Sequence, residues 1–129
     1  MKSRVVFKSE SNEWRTPKAV YDALNAEFGF EFDPCPMDDQ SVWDSLILPW
    51  RFPAFCNPPY SRLAEWVAKA FEESKRGMVV LLIPARTDTK WWHEYVMKAK
   101  EIRFIKGRLR FGNAKNPAPF PSCIVVFGT

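Results

Sequence analysis

The tetrapeptide Asn57-Pro58-Pro59-Tyr60 combines residue types that could do chemistry on a planar amine. Consecutive prolines fix φ and lack N–H groups, so a strand or helix that reaches this point must end in a stiff turn. That turn presents an amide side chain, two carbonyls that no local N–H claims, and an aromatic ring. Asn57 Oδ1 and the Pro58 carbonyl could accept the two protons of an amino group while Tyr60 stacks on the attached base.

The chemistry that this arrangement favours is methyl transfer to an exocyclic amine. The amino groups of adenine and cytosine are poor nucleophiles because their lone pairs delocalise into the ring. Two acceptors that hold the amino protons would favour a pyramidal nitrogen and expose its lone pair to an electrophilic methyl group. The main catalytic contributions would be the in-line orientation of nitrogen, methyl and sulfur and the placement of the acceptors. The structural alternative is an ordinary proline turn with an Asx-type hydrogen bond.

Helices are predicted on both sides of this turn. Thr16 as N-cap and Pro17 at the first helical position predict a helix that Gly29 closes. Apolar residues from Leu63 to Phe71 follow i, i+3, i+4, i+7 spacing and predict the clearest helix, which ends at Gly77. A third helix is predicted after a cap at Thr87 or Asp88.

Strands are predicted between these helices, in the alternating order of an α/β fold with about five mostly parallel strands. The predicted strands cover residues 30–33, 53–56, 78–83, 102–105 and 123–127, with local pairing expected at 108–111 and a loop with one helical turn at 34–53. Asp33, Asn57 and Arg86 follow the ends of three of them. Parallel sheets bind ligands at the carboxyl ends of their strands, so these residues should share one rim.

Composition places the chain among single-domain proteins that could meet a polyanion. Its 129 residues predict one domain over 1–129, with residues 1–13 as an N-terminal arm. The net charge of +4 and pI of about 9.1 are compatible with a nucleic-acid partner. Three scattered cysteines and one histidine argue against disulfides and a metal site and favour the cytoplasm. No signal peptide or membrane span is expected.

Together these motifs resemble those of a known protein family. The tetrapeptide matches the motif of amino-methyltransferases that use S-adenosylmethionine, and the wider pattern resembles the phage-type DNA adenine-N6 methyltransferase (Dam-like) family. The matching segments run in order over nearly the whole chain: Trp14-Arg15-Thr16-Pro17, Phe32-Asp33-Pro34-Cys35, Phe55 to Ser61, Trp66, Trp91-Trp92, Gly107-Arg108-Leu109 with Phe111, and Pro121-Ser122. The resemblance implies a reduced Rossmann-like methyltransferase fold that flips adenine from double-stranded DNA in the cytoplasm of a bacterial host, encoded by a phage or prophage.

The resemblance also implies roles for individual residues. Those expected to be catalytic are Asn57, Pro58, Pro59 and Tyr60. Those expected to bind S-adenosylmethionine are Trp14, Thr16, Pro17, Asp33, Pro34, Cys35 and Asn57. Four cations flank the predicted rim and could contact DNA phosphates or base edges: Arg86, Lys90, Arg108 and Arg110.

The chain also departs from larger methyltransferases. Asp33-Pro34-Cys35-Pro36 stands where they carry a glycine-rich loop, and only about twenty residues separate it from the catalytic strand. The acid that binds the cofactor ribose is therefore open, with Asp38, Asp39 and Asp44 as candidates. Cytosine-N4 methylation, protein-glutamine methylation and a non-catalytic DNA-binding module that has lost its cofactor remain alternatives. A homodimer could supply the recognition surface that so small a chain lacks.

Overall fold

The computed structural model of the chain describes residues 15–35, 40–112 and 115–128. Three α-helices and four strands form in these ranges, in the order α1 (Lys18–Phe28), β1 (Ala54–Cys56), α2 (Leu63–Glu73), β2 (Val79–Pro84), α3 (Lys90–Glu94), β3 (Glu101–Phe104) and β4 (Ser122–Phe127). Short 3-10 helices cover Gln40–Leu46, Tyr60–Arg62 and Val96–Lys98. The alternation of helices and strands confirms the predicted α/β class.

The four strands form one mixed sheet in the order β1-β2-β4-β3. β1 pairs parallel with β2, whereas β4 is antiparallel to both β2 and β3. The prediction of about five mostly parallel strands is therefore correct only in part. Within the described residues, the strand predicted at 30–33 amounts to a single parallel bridge between Phe32 and Ala54. No crossover helix forms in the described part of the connection from β3 to β4, and neighbours joined in this way pair antiparallel.

Strands β1, β2 and β4 are buried on both faces, whereas the edge strand β3 is partly exposed. On one face, side chains such as Ala54, Leu81 and Val125 pack with Trp66 of α2 and Trp92 of α3. On the opposite face, side chains that include Phe55, Val80 and Ile124 pack with Leu24 of α1 and with Phe111 and Ala118 of the loop that precedes β4. All six residues of β2 are buried, which confirms the interpretation of its apolar run as a central strand.

The helix boundaries correct two predicted caps. α1 begins at Lys18 with Pro17 as its N-cap, because the Thr16 hydroxyl has another partner, described below. α3 is capped by Thr89, whose side chain accepts a hydrogen bond from the Trp92 N–H at 3.2 Å, rather than by Thr87 or Asp88. Gly29 closes α1 in the left-handed conformation with φ of 67°, as predicted.

Two further predictions are wrong in detail. α2 ends at Glu73, four residues before Gly77. A Cβ atom added at Gly77 would overlap the ring of Phe52. Gly77 is thus required for close packing rather than for ending the helix. Residues 108–111 form no strand; their local pairing is a hydrogen bond from the Ala118 N–H to the Leu109 carbonyl at 2.7 Å.

Candidate active site

The Asn57 turn lies at the carboxyl end of β1, as the sequence predicts. Pro58 is buried, and Pro59 has the extended conformation (φ −60°, ψ 139°) that leads into the 3-10 turn Tyr60–Arg62 and then α2. The prolines end the strand because they cannot donate to a ladder. A short connection from strand to helix therefore holds the tetrapeptide at the edge where ligands bind in parallel sheets.

The predicted cofactor loop lies against this turn. The parallel bridge between Phe32 and Ala54 brings Asp33-Pro34-Cys35 beside the end of β1. The Cys35 thiol is 3.0 Å from Cys56 Sγ and donates to the Asn57 carbonyl at 3.4 Å. The two predicted segments are thus brought together, with Pro34 and Cys35 buried beneath the surface that they form.

Asn57 joins the turn to the segment that precedes α1. Its side chain is 8% exposed, and its Nδ2 donates a hydrogen bond to Thr16 Oγ1 at 3.1 Å. That segment is anchored in turn, because the Arg15 carbonyl accepts from the Gly112 N–H at 3.0 Å. Residues distant in the chain therefore converge on the amide of Asn57.

The ring of Tyr60 is half-buried and lies where the Asn57 turn leads into the 3-10 helix Tyr60–Arg62. It packs edge-to-face with Phe120, with ring centroids 5.4 Å apart. Burial raises the pKa of the Tyr60 phenol, and the nearby positive charge of Arg86 opposes that shift only in part. The phenol therefore stays neutral at physiological pH, and the side chain is suited to stacking rather than to proton transfer.

Asp33 carries a carboxyl group in an unusual environment. Its Oδ1 accepts a hydrogen bond from the Cys35 N–H at 2.9 Å, the Asx turn that the sequence allows. The residue remains exposed to solvent, yet protein atoms crowd the carboxyl group and raise its pKa to about 6. The carboxyl group is thus exposed and yet partly desolvated, which makes it a candidate partner for a cationic ligand group.

The three cysteines behave as buried apolar residues. Cys35, Cys56 and Cys123 are all free and buried, and desolvation raises the pKa of each thiol. A protonated thiol is a weak nucleophile, so their chemistry at neutral pH is limited to packing and weak hydrogen bonds.

The four predicted DNA-contacting cations are all exposed. Arg86 begins the loop after β2 and is close enough to Tyr60 to influence the pKa of its phenol. Lys90 lies 3.8 Å from Glu94 on α3, and the Arg110 guanidinium donates to the Lys115 carbonyl. Arg108 belongs to the same loop as Arg110. Contact of these side chains with DNA stays a prediction.

Some predicted residues cannot be placed. Trp14, Asp38 and Asp39 lie outside the described residues. Asp44 is exposed in the 3-10 helix, where its backbone carbonyl accepts from the N–H groups of Ile47 and Leu48 at 2.9 Å. The acid that would bind a ribose thus stays open.

Sequence reasoning missed two contacts of this site. Phe120 supports Tyr60, although only its position shortly before Pro121-Ser122 could have drawn attention to it. The Thr16 hydroxyl was expected to cap a helix and instead contacts Asn57.

The described ranges support neither a metal site nor a membrane-spanning helix. Residues 15–35, 40–112 and 115–128 contain no group of three or more His, Cys, Asp or Glu side chains arranged to hold a metal ion. None of the helices in these ranges has the length and apolar character that crossing a bilayer requires.

Comparisons with known proteins identify the family of the chain. The family model described as DNA N-6-adenine-methyltransferase (Dam) matches residues 3–122. A DNA N-6-adenine-methyltransferase of Haemophilus phage HP1 (strain HP1c1) is 31% identical over 121 residues, covering 82% of this chain and 69% of the relative. One of Escherichia phage T1 is 28% identical over 108 residues, covering 74% of this chain and 45% of the relative. No solved structure matches. Because the family model spans nearly all of the sequence, the chain belongs to the DNA N-6-adenine-methyltransferase (Dam) family.

Proposed function

We propose that this protein transfers a methyl group from S-adenosylmethionine to the N6 amino group of an adenine turned out of double-stranded DNA. The observation that carries the proposal is the Asn57 turn at the end of β1, buried and hydrogen-bonded to Thr16, in a chain whose family is named for this reaction. The curated relatives bear the same name, and one of them, from Haemophilus phage HP1, aligns over most of the chain.

In the proposed mechanism Asn57 and Pro58 prepare the nucleophile. When bound, S-adenosylmethionine supplies an electrophilic methyl carbon on a sulfonium sulfur. Asn57 Oδ1 and the Pro58 carbonyl accept the two amino protons of adenine and hold its nitrogen with the lone pair exposed. Asn57 and Pro58 would hold the nitrogen while its bond to the methyl carbon replaced the methyl–sulfur bond, and the surplus proton would then pass from the nitrogen to solvent. The turn lowers the barrier by orientation and by placing acceptors where positive charge develops.

Tyr60 provides the surface on which the base lies. Stacking on an aromatic ring offsets part of the unpairing energy of a flipped nucleotide. The edge-to-face contact with Phe120 holds the ring, and a neutral phenol avoids placing an anion beside the bound base.

Asp33 fits the cofactor that this reaction requires. An exposed but poorly solvated carboxylate at the end of the first parallel segment suits the ammonium group of the methionine part. Pro34 and Cys35 would shape the floor of this subsite and Pro17 would lie over it, while Trp14, the other expected contact, lies outside the described residues. Asn57 would border both cofactor and base.

DNA would approach from the same rim. Arg86 lies near Tyr60, and Arg108 and Arg110 lie on the loop that also carries Phe111. Phosphate contacts by such cations position a duplex without reading its sequence. Lys90, exposed at the start of α3, would add a further contact.

The test is nucleoside mass spectrometry of unmethylated DNA incubated with the protein and S-adenosylmethionine. Wild type should produce N6-methyladenine, and Asn57→Ala should produce none while its thermal unfolding shows a folded protein. Asn25→Ala is the matched control, because Asn25 Oδ1 accepts from the Phe30 N–H at the opposite end of the parallel strands, so methylation should persist. Methylcytosine would keep the mechanism and change the substrate. No methylated base from folded wild type would favour a protein-methylating or non-catalytic role.

A further inference from the structure

The hydrogen bond between Thr16 and Asn57 acts on a side chain with two different ends. An asparagine amide has a donating NH2 group and an accepting oxygen of nearly the same shape, so packing alone distinguishes them poorly. Here Nδ2 donates to Thr16 Oγ1 at 3.1 Å, across 41 residues of sequence. Since the amide is planar, fixing the NH2 group on one side directs the carbonyl oxygen to the other side.

Thr16 is well suited to fix that group. The backbone on its N-terminal side is anchored by the hydrogen bond from the Gly112 N–H to the Arg15 carbonyl, at 3.0 Å. On its C-terminal side Pro17 restricts the chain, and the Pro17 carbonyl accepts from the Tyr21 N–H at 3.0 Å in the first turn of α1. A β-branched side chain also has few χ1 rotamers. The hydroxyl is thus presented to Asn57 from a fixed position.

We propose that Thr16 is a positioning residue that holds the Asn57 amide in the orientation seen in this structure, with its hydroxyl oxygen as the acceptor. It engages the NH2 group, so that the carbonyl oxygen is the atom offered to the amino group of the substrate. A reversed amide would present N–H donors to another N–H donor and lose one of the two acceptors. This inference rests on the proposed function of Asn57, and it differs from the role in cofactor binding that the family resemblance implies for Thr16.

Two substitutions separate positioning from cofactor contact. Thr16→Val keeps the shape and removes the hydroxyl, whereas Thr16→Ser restores a hydroxyl on a smaller side chain. Single-turnover methylation should be slower in Thr16→Val by about tenfold or more, in line with the loss of one buried hydrogen bond. The Kd for S-adenosylmethionine, measured by calorimetry, should change by less than about twofold, because the amide and not the cofactor has lost its partner. Thr16→Ser should recover most of the wild-type rate.

Other outcomes would overturn the inference. An unchanged rate in Thr16→Val would show that the hydroxyl is dispensable. A weaker Kd with an unchanged rate at saturating cofactor would assign Thr16 to cofactor binding alone. A loss of rate in folded Thr16→Ser as large as in Thr16→Val would show that a hydroxyl at this position does not suffice to orient the amide, and the proposed role would fail.

A measurement on the protein without ligands keeps this test separate from the proposed function. The side-chain NH2 resonances of Asn57 can be assigned by their disappearance in Asn57→Ala. They should exchange more slowly with solvent in wild type and Thr16→Ser than in Thr16→Val. Equal exchange in all three would refute the contact, whatever the enzyme methylates. If exchange follows the prediction while wild type methylates no adenine, the contact stands and the proposed function fails.

Discussion

At the scale of single residues, burial separates the groups that we propose hold the substrate from a group that can exchange a proton. Asn57 offers an amide that does not titrate, and burial raises the pKa of the Tyr60 phenol and of the Cys35 and Cys56 thiols beyond use near neutral pH. Asp33 differs, because its pKa of about 6 allows it to change charge near physiological conditions. Among the described residues, the proposed site therefore offers acceptors and a stacking surface without a strong base, which suits a methyl transfer that requires none.

Tyr60 should contribute through its ring and not through its hydroxyl. Tyr60→Ala should weaken binding of a flipped base by about 1–3 kcal/mol, the usual worth of base stacking on an aromatic side chain. Tyr60→Phe should have a small effect, since it keeps both the stacking face and the contact with Phe120. The measurement is single-turnover methylation over a range of DNA concentrations, with thermal unfolding of both variants. A Tyr60→Phe variant as impaired as Tyr60→Ala would assign the function to the hydroxyl.

In the ligand-free protein, the ionised Asp33 carboxylate should lower the free energy of unfolding at pH values above its pKa. Between pH 3.8 and about 6 the folded chain keeps a proton that the unfolded chain releases, so the free energy of unfolding falls as the pH rises through this window. Asp33→Asn keeps an oxygen for the Cys35 N–H and removes the charge. The variant should therefore unfold at a higher temperature than wild type at pH 8 and at nearly the same temperature below pH 4.

The same substitution should weaken cofactor binding at pH 8, because the carboxylate that would pair with the ammonium group is gone. Calorimetry with S-adenosylmethionine at pH 8 and at pH 5 provides the comparison. Wild type should lose affinity towards pH 5 as Asp33 takes up its proton, while Asp33→Asn should show a smaller change. Equal pH dependence in the two proteins would remove Asp33 from the cofactor site.

At the scale of elements, the short helix α3 depends on a cap that lies one or two residues beyond those predicted. Thr89→Ala removes the acceptor of the Trp92 N–H and should lower the free energy of unfolding by about 0.5–2 kcal/mol. Thr87→Ala should have little effect, because in the described ranges Thr87 contacts the His93 ring through its backbone carbonyl, which the substitution keeps. Chemical denaturation of the two variants measures the difference. An equal loss in both would indicate that the loop, not the cap, limits stability.

Local signals account for the elements that the sequence predicted correctly. The proline pair located the Asn57 turn, the apolar stripe located α2, and the uninterrupted apolar run located β2. Their positions depend on neighbouring residues, which the sequence displays directly. The direction of β4, the contact of Phe120 with Tyr60 and the partner of Thr16 join segments distant in the chain, for which periodicity gives no signal. Thr16 even carried a misleading signal, because Thr-Pro is also a good helix start.

At the scale of the whole molecule, the direction of the strands divides the surface into two ends. The Asn57 turn, Asp33 and Arg86 lie at the carboxyl end of the parallel segments. Lys75 follows α2 at the opposite end, near the start of β2, where it pairs with Glu72 at 3.0 Å. A net charge of +4 attracts DNA to the molecule as a whole. Only cations at the proposed catalytic rim should contact DNA phosphates and so release counterions from the DNA.

The salt dependence of DNA binding distinguishes these two contributions. Arg86→Ala should reduce the slope of log K against log[salt] by about one phosphate contact and weaken binding similarly on all sequences. Lys75→Ala removes the same charge from the other end, so it should leave the slope unchanged and lower affinity slightly through net charge alone. Fluorescence anisotropy with a labelled duplex, titrated at several salt concentrations, gives both slopes. If instead Lys75→Ala reduces the slope and Arg86→Ala leaves it unchanged, DNA does not bind at the rim that carries Asn57, and the two ends of the sheet would have to exchange roles in any account of how adenine reaches the site.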